Sequence, residues 1–152
     1  MKNIGSSIAM LFFTLCWSAS ADPARLLIQA KLFPRIVLFD ANYQSKLQNN
    51  ALVFGISQCN EADTSSDNFH SILKKIHSGT LKSIPLRAEL VQPSSGVNLS
   101  HISALYLSCG CSPEQLTQLL DASKTHHLIT FACNDKVFTK GALIGLDVGR
   151  KV

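Results

Sequence analysis

Residues 102–120 read ISALYLSCGCSPEQLTQLL, and this stretch decides the fold. Ile102 to Leu107 is an apolar run of strand length. Ser112-Pro113-Glu114 is a helix start, in which Ser caps and Pro takes the first helical position. Leu116, Leu119, Leu120 and Ala122 then mark the apolar face of that helix. Between strand and helix lie Ser108-Cys109-Gly110-Cys111, so two thiols fall where the strand ends.

The same grammar repeats on either side. Upstream, Ala51 to Ile56 is a nearly continuous apolar run that closes in Ser57-Gln58-Cys59-Asn60, which predicts a buried strand. Cap candidates from Asp63 to Ser66 precede Phe69, Ile72, Leu73 and Ile76, one face of a helix that Ser78-Gly79 ends. Ile84 to Val91 predicts another strand, with Pro85 pointing to an edge position. Gln92 to Leu99 is a loop. Downstream, Leu128 to Phe131 predicts a strand that leads to Cys133, and Ala142 to Val148 a last one, with Asp147 to Arg150 beginning a hairpin turn. Near the start, Asp22-Pro23 opens a helix with Leu26, Leu27, Ala30, Phe33 and Val37 at helical spacing. Pro34 is expected to bend or end it, leaving Ile36 to Phe39 extended. Asn42 to Asn50 is a linker or a short turn of helix.

Strands and helices that alternate at these intervals predict one α/β domain, three layers deep, with a mostly parallel sheet flanked by helices. In such sheets ligands bind beyond the carboxyl ends of the strands. Three strands deliver Cys59, Cys109 with Cys111, and Cys133 to that edge. If the three are neighbours, their spacing of about 4.8 Å brings the thiols within disulfide range. Cys109 and Cys111 are too close in sequence to join each other without strain, so one is expected to pair with Cys133 and the other with Cys59.

The N-terminus reads as an export signal. Lys2 supplies the positive end, an apolar stretch runs from Ile8 to Trp17, and Ala19-Ser20-Ala21 is a small-x-small cleavage site. The stretch falls short of the ~20 residues that span a bilayer. Removing residues 1–21 from the 152 leaves 131, enough for one domain with a core, and lowers the formal charge from +4 to +3. Cys16 leaves with the signal, so four of the five cysteines remain, an even number in a compartment where disulfides persist. The pattern looks bacterial and places the protein in the periplasm. The mild, scattered charge argues against a nucleic-acid surface.

Catalytic signatures are absent: there is no G-x-S-x-G, P-loop, H-E-x-x-H or C-x-x-C, and Gly145 to Gly149 lacks the dinucleotide fingerprint. A Cys133 nucleophile with His126 or His127 would be badly placed, since those histidines precede the strand and the cysteine follows it. The four thiols could form a soft metal set for zinc or copper(I), and His70 and His77 share a helix face. Structural zinc sites space their paired cysteines by two to four residues, and export favours disulfides. No catalytic residue, cofactor or metal ligand is therefore assigned, and the four cysteines are read as structural disulfides.

With the elements in order, the chain resembles the YfiR-like family of exported bacterial proteins. The resemblance rests on "AKLFPRIVLFD", on "ALVFGISQC" with "FHSILKKI", on "HISALYLSCGCSPEQLTQLL", and on "LITFACNDKVFTKGALIGLDVGRKV", and covers most of Ala30–Val152. It makes residues 22–152 a YfiR-like domain behind the signal. It implies a non-enzymatic periplasmic regulator that binds the periplasmic part of an inner-membrane diguanylate cyclase and represses it, within cyclic-di-GMP signalling, with disulfide state affecting stability and signalling. Family members continue past the glycine hairpin through a further strand and helix, so the resemblance implies a C-terminally short form ending at Val152. A second copy of the chain stands as a further candidate partner. The alternative expectation is a small-solute-binding protein, or one lobe of one, holding its ligand at the same strand edge.

Overall fold

The computed structural model describes residues 22–146. The expected signal (1–21) and the hairpin start from Asp147 to Arg150 lie outside the described residues. In chain order the elements are α1 (Pro23–Val37), α2 (Tyr43–Lys46), β1 (Leu52–Ser57), α3 (Ser65–His77), β2 (Thr80–Leu81), β3 (Ile84–Val91), β4 (Ala104–Leu107), α4 (Pro113–Thr125), β5 (Ile129–Ala132), α5 (Asp135–Phe138) and β6 (Ile144–Gly145). The strands form one six-stranded sheet in the order β2-β3-β1-β4-β5-β6. Every pairing is parallel except β2 with β3. The expected α/β domain with a mostly parallel, helix-flanked sheet is what folds.

Leaving out the two-residue β2, the parallel strands follow the doubly wound order of flavodoxin-like sheets. From β1 the chain crosses one way to β3, and from β4 it crosses the other way to β5. Right-handed crossovers then put α3 and α4 on opposite faces. The α1/α3 face is aromatic. Phe33 of α1 stacks on Phe131 of β5 at 4.5 Å between ring centroids, and Phe69 of α3 stacks on Tyr106 of β4 at 3.9 Å. Phe54 of β1 joins them, 5.6 Å from Phe131 and 6.3 Å from Phe69. All five rings are buried, and each contributes on the order of 1.5–3 kcal/mol. Val53, Gly55, Leu105 and Leu107 alternate with these rings along β1 and β4 and so look towards the α4 face. A Cβ on Gly55 would lie only 3.0 Å from Ile102 and 3.1 Å from Leu105, so the loop between β3 and β4 packs directly on this strand.

Pro34 does not end α1, which runs on to Val37, so Ile36 and Val37 are helical rather than extended. Proline has no N–H to bond the carbonyl four residues back, that of Ala30. His77 replaces it: its Nε2 lies 2.9 Å from Ala30 O and donates the bond from the last turn of α3. His77 is buried, and the two helices meet at this point.

Other departures are smaller. β2 makes a hairpin with β3 through Lys82 and Ser83, at φ 48° and 68°. Such turns usually announce themselves by Asn-Gly or a similar pair, and Lys-Ser carries no such signal. The edge position expected from Pro85 is taken by β2: Pro85 pairs with Thr80, and β3 lies one strand inside the sheet edge, because the chain doubles back at Lys82-Ser83 and covers the start of β3. β4 starts at Ala104 rather than Ile102, whose N–H closes a turn on Leu99 O at 3.0 Å. The strand expected from Ala142 to Val148 is limited among the described residues to Ile144–Gly145. α5 was not expected; it is capped by Asn134, whose side chain accepts from Val137 N at 3.1 Å.

Candidate functional site

β1, β4 and β5 are adjacent and parallel, so their carboxyl ends present their cysteines side by side. Cys59 joins Cys111 across β1 and β4 (Cα–Cα 4.8 Å), and Cys109 joins Cys133 across β4 and β5 (Cα–Cα 5.7 Å). This is the expected scheme, with the open choice of partners resolved. β4 lies between the other two strands and sends one cysteine to each side.

Gly110, between the two cysteines, lets a neighbouring loop pack closely on the turn. A Cβ there would collide with the carboxylate of Asp63, which the loop after β1 lays against the Cys109-Gly110-Cys111 turn. Asp63 is fixed in turn: its two oxygens accept from Ser65 N at 2.9 Å and Ser65 Oγ at 2.8 Å, at the head of α3. The short C-G-C spacing is thus a packing requirement as well as a covalent one.

Beneath the first staple, Ser57 ends β1 and Ser108 follows β4, both fully buried. Ser108 N donates to Ser57 Oγ at 2.7 Å, and the two hydroxyls are 3.2 Å apart. Each is 3.4 Å from Cys111 Sγ, and Ser66 Oγ of α3 donates to Ser57 O at 2.7 Å. Their hydrogen-bonding capacity is engaged locally, and among the described residues neither hydroxyl bonds a His, Asp or Glu that could activate it.

Three helices tie onto the stapled edge. In the first turn of α4, Ser112 caps Gln115 N at 3.3 Å while Gln115 Oε1 accepts from Ser112 N at 2.9 Å. Gln115 Nε2 then donates to Cys59 O at 3.0 Å. Asn134, the cap of α5, donates from Nδ2 to Cys109 Sγ at 3.1 Å. From α1, Gln29 donates to Cys133 O at 3.1 Å and accepts from Tyr106 OH at 3.2 Å. Burial, and then the Asp63 charge, push the Tyr106 hydroxyl well above its ordinary range, so it stays a neutral donor. Sequence reasoning missed Gln29. The available signal was a polar residue among Leu26, Ala30, Phe33 and Val37 on the buried face of α1.

In doubly wound sheets the ligand crevice opens where the chain reverses direction, here between β1 and β4. The Cys59–Cys111 bond spans that place. An oxidised cysteine is neither a nucleophile nor a thiolate ligand, so the four-thiolate set would exist only after both bonds were reduced. Among the described residues no group of three or more His, Cys, Asp or Glu comes together as a metal site. His70 and His77 are turned to different partners, Ala88 O of β3 at 3.3 Å and Ala30 O of α1 at 2.9 Å. His126 caps the end of α4 and His127 precedes β5, whereas Cys133 lies beyond the far end of that strand. The edge is crosslinked twice, and its polar groups are largely satisfied internally.

No protein-family model matches the chain, nor does any curated protein or any solved structure. The YfiR-like resemblance therefore rests on the four quoted stretches of sequence.

Proposed function

We propose that this protein is an exported periplasmic regulator that binds the periplasmic part of an inner-membrane signalling protein, a diguanylate cyclase by resemblance, and represses it without catalysing a reaction. The observation that carries the reading is the double staple at the strand ends. The place where this topology ordinarily admits a ligand is bridged by Cys59–Cys111 and braced by Cys109–Cys133, which favours recognition by an outer surface over chemistry in a crevice. The export signal, the even cysteine count and the resemblance support the compartment and the partner class.

Two measurements test it. N-terminal sequencing of the protein from a periplasmic fraction should begin at Asp22. Mild crosslinking in cells should recover a membrane protein with a cyclase domain, and deletion of the chain should raise cellular cyclic-di-GMP. Recovery of no membrane signalling protein, with cyclic-di-GMP unchanged, refutes the reading.

The solute-binding alternative draws on a different place, a cleft of about 580 Å³ at the other end of β5, lined by Lys46, Leu120, Ser123, His127, Leu128 and Thr130 among others. A thermal-shift screen across small metabolites separates the two readings. A large upward shift with one ligand class transfers the assignment to solute binding.

A further inference from the structure

Six large apolar side chains are exposed among the described residues, and α1 with its exit turn carries three of them. Leu27 is 51% exposed, Leu32 36%, and Phe39, just past the helix end, 75%. Leu26, Ala30, Phe33 and Val37 face the core. At 3.6 residues per turn, Leu27, Ile28, Lys31, Leu32 and Arg35 then share an arc of about 140° on the opposite side. Lys31 and Arg35 are exposed and form no ion pair with another described residue. Lys82, from the β2–β3 hairpin, adds a third cation, its Nζ 5.1 Å from the centre of the Phe39 ring. From Pro23 to Phe39 there is no Asp or Glu. The flanking acids bond their own backbone: Asp22 accepts from Ala24 N at 3.0 Å and Asp40 from Asn42 N at 2.8 Å, with Lys46 at 3.6 Å from Asp40.

The surface is therefore an apolar and cationic helix face without anions. The clefts of about 450 and 580 Å³ are lined by no residue of α1. Exposed apolar side chains ringed by three cations, with no anion among them, complement a surface that is anionic outside and apolar beneath. We propose that this face, with Lys82, seats the domain on an anionic phospholipid bilayer. Leu27, Leu32 and Phe39 dip among the upper acyl carbons, while Lys31, Arg35 and Lys82 meet the phosphates. The proposal rests on the periplasmic reading above and deepens it: a regulator held in the membrane plane meets a membrane-embedded partner at raised effective concentration.

The test is co-sedimentation of the purified exported protein with vesicles of phosphatidylglycerol and phosphatidylcholine in equal parts, and with phosphatidylcholine alone. Partitioning onto the anionic vesicles should be at least about tenfold stronger and should weaken steeply with added salt. K31E/R35E should abolish the preference, and L27S/F39S should cut binding by about tenfold or more. K136E/K140E makes the same charge change on the exposed surface around α5 and should retain most of the binding. These positions are exposed, and unchanged circular dichroism checks that each variant is folded.

The proposal is overturned by equal binding to neutral vesicles, by no binding to anionic ones, or by K136E/K140E losing as much as K31E/R35E. An acidic helical protein segment that takes this face while vesicles do not bind would assign it to a protein partner and likewise overturn it. Crosslinking to a cyclase involves no added vesicles, so either result can fail while the other stands.

Discussion

The bond from His77 to Ala30 makes a definite energetic prediction. Pro34 leaves the Ala30 carbonyl without its helical partner, and His77 Nε2, 2.9 Å away and buried, is its substitute. In the parent protein His77→Leu keeps an apolar body of similar size but orphans a buried carbonyl. An orphaned buried polar group costs about 1–3 kcal/mol, partly offset here by the leucine's own burial, so a net loss of about 2 kcal/mol is expected. Pro34→Ala restores an N–H at the position that faces Ala30 O. In that background His77→Leu should cost about 0.5 kcal/mol or less, because the carbonyl is bonded again within the helix. The double-mutant cycle should therefore show a coupling of about 1–2 kcal/mol between two residues far apart in sequence. Urea unfolding with the disulfides oxidised measures it. Far-UV circular dichroism is the suitable probe, since the single tryptophan, Trp17, belongs to the expected signal. Additivity within about 0.3 kcal/mol would refute the claim that His77 compensates for Pro34.

The two staples should differ in worth by loop length: C59S/C111S, closing a separation of 52 residues, should cost about 4 kcal/mol, and C109A/C133A, closing 24, about 3. Non-reducing mass spectrometry of the periplasmic protein should give a mass four hydrogens below the reduced chain, and four free thiols would contradict both bonds. Gly110→Ala should destabilise by about 1–3 kcal/mol in urea melts, and shortening Asp63 to Ala should relieve part of that loss; a silent Gly110→Ala would mean the turn is not constrained by Asp63. Tyr106 titrates above its ordinary value of 10.0 in the folded state, so above pH 10 the unfolded chain releases this proton first. Its contribution is complete below pH 10 and is lost as pH rises beyond, and Tyr106→Phe should flatten the alkaline fall in stability.

Local spacing carried much of the architecture. The apolar run Leu52–Ile56, the Ser112-Pro113 start of α4 and the αL stop at Ser78, with φ 47°, are each decided by residues within a turn or two. Periodicity, capping and conformational preference are short-range effects, so they can be read from the chain alone. Three features could not be read that way. The hairpin at Lys82-Ser83 adopts positive φ without the residues that favour it, because pairing of β2 with β3 holds it there. Helix α1 passes Pro34 because a donor arrives from α3, 47 positions along the chain. Gln29 is tolerated in the core because Cys133 O and Tyr106 OH reach it from two strands.

The sequence by itself determined that thiols would gather at the carboxyl ends of parallel strands, since every one of the four follows the end of one of three strands by a few residues. Which thiol meets which was decided only by tertiary structure. Strand order put β4 between β1 and β5, so Cys111 meets Cys59 on one side and Cys109 meets Cys133 on the other. A disulfide needs Cα atoms within about 7 Å, and that proximity arises only when segments distant in sequence pack together.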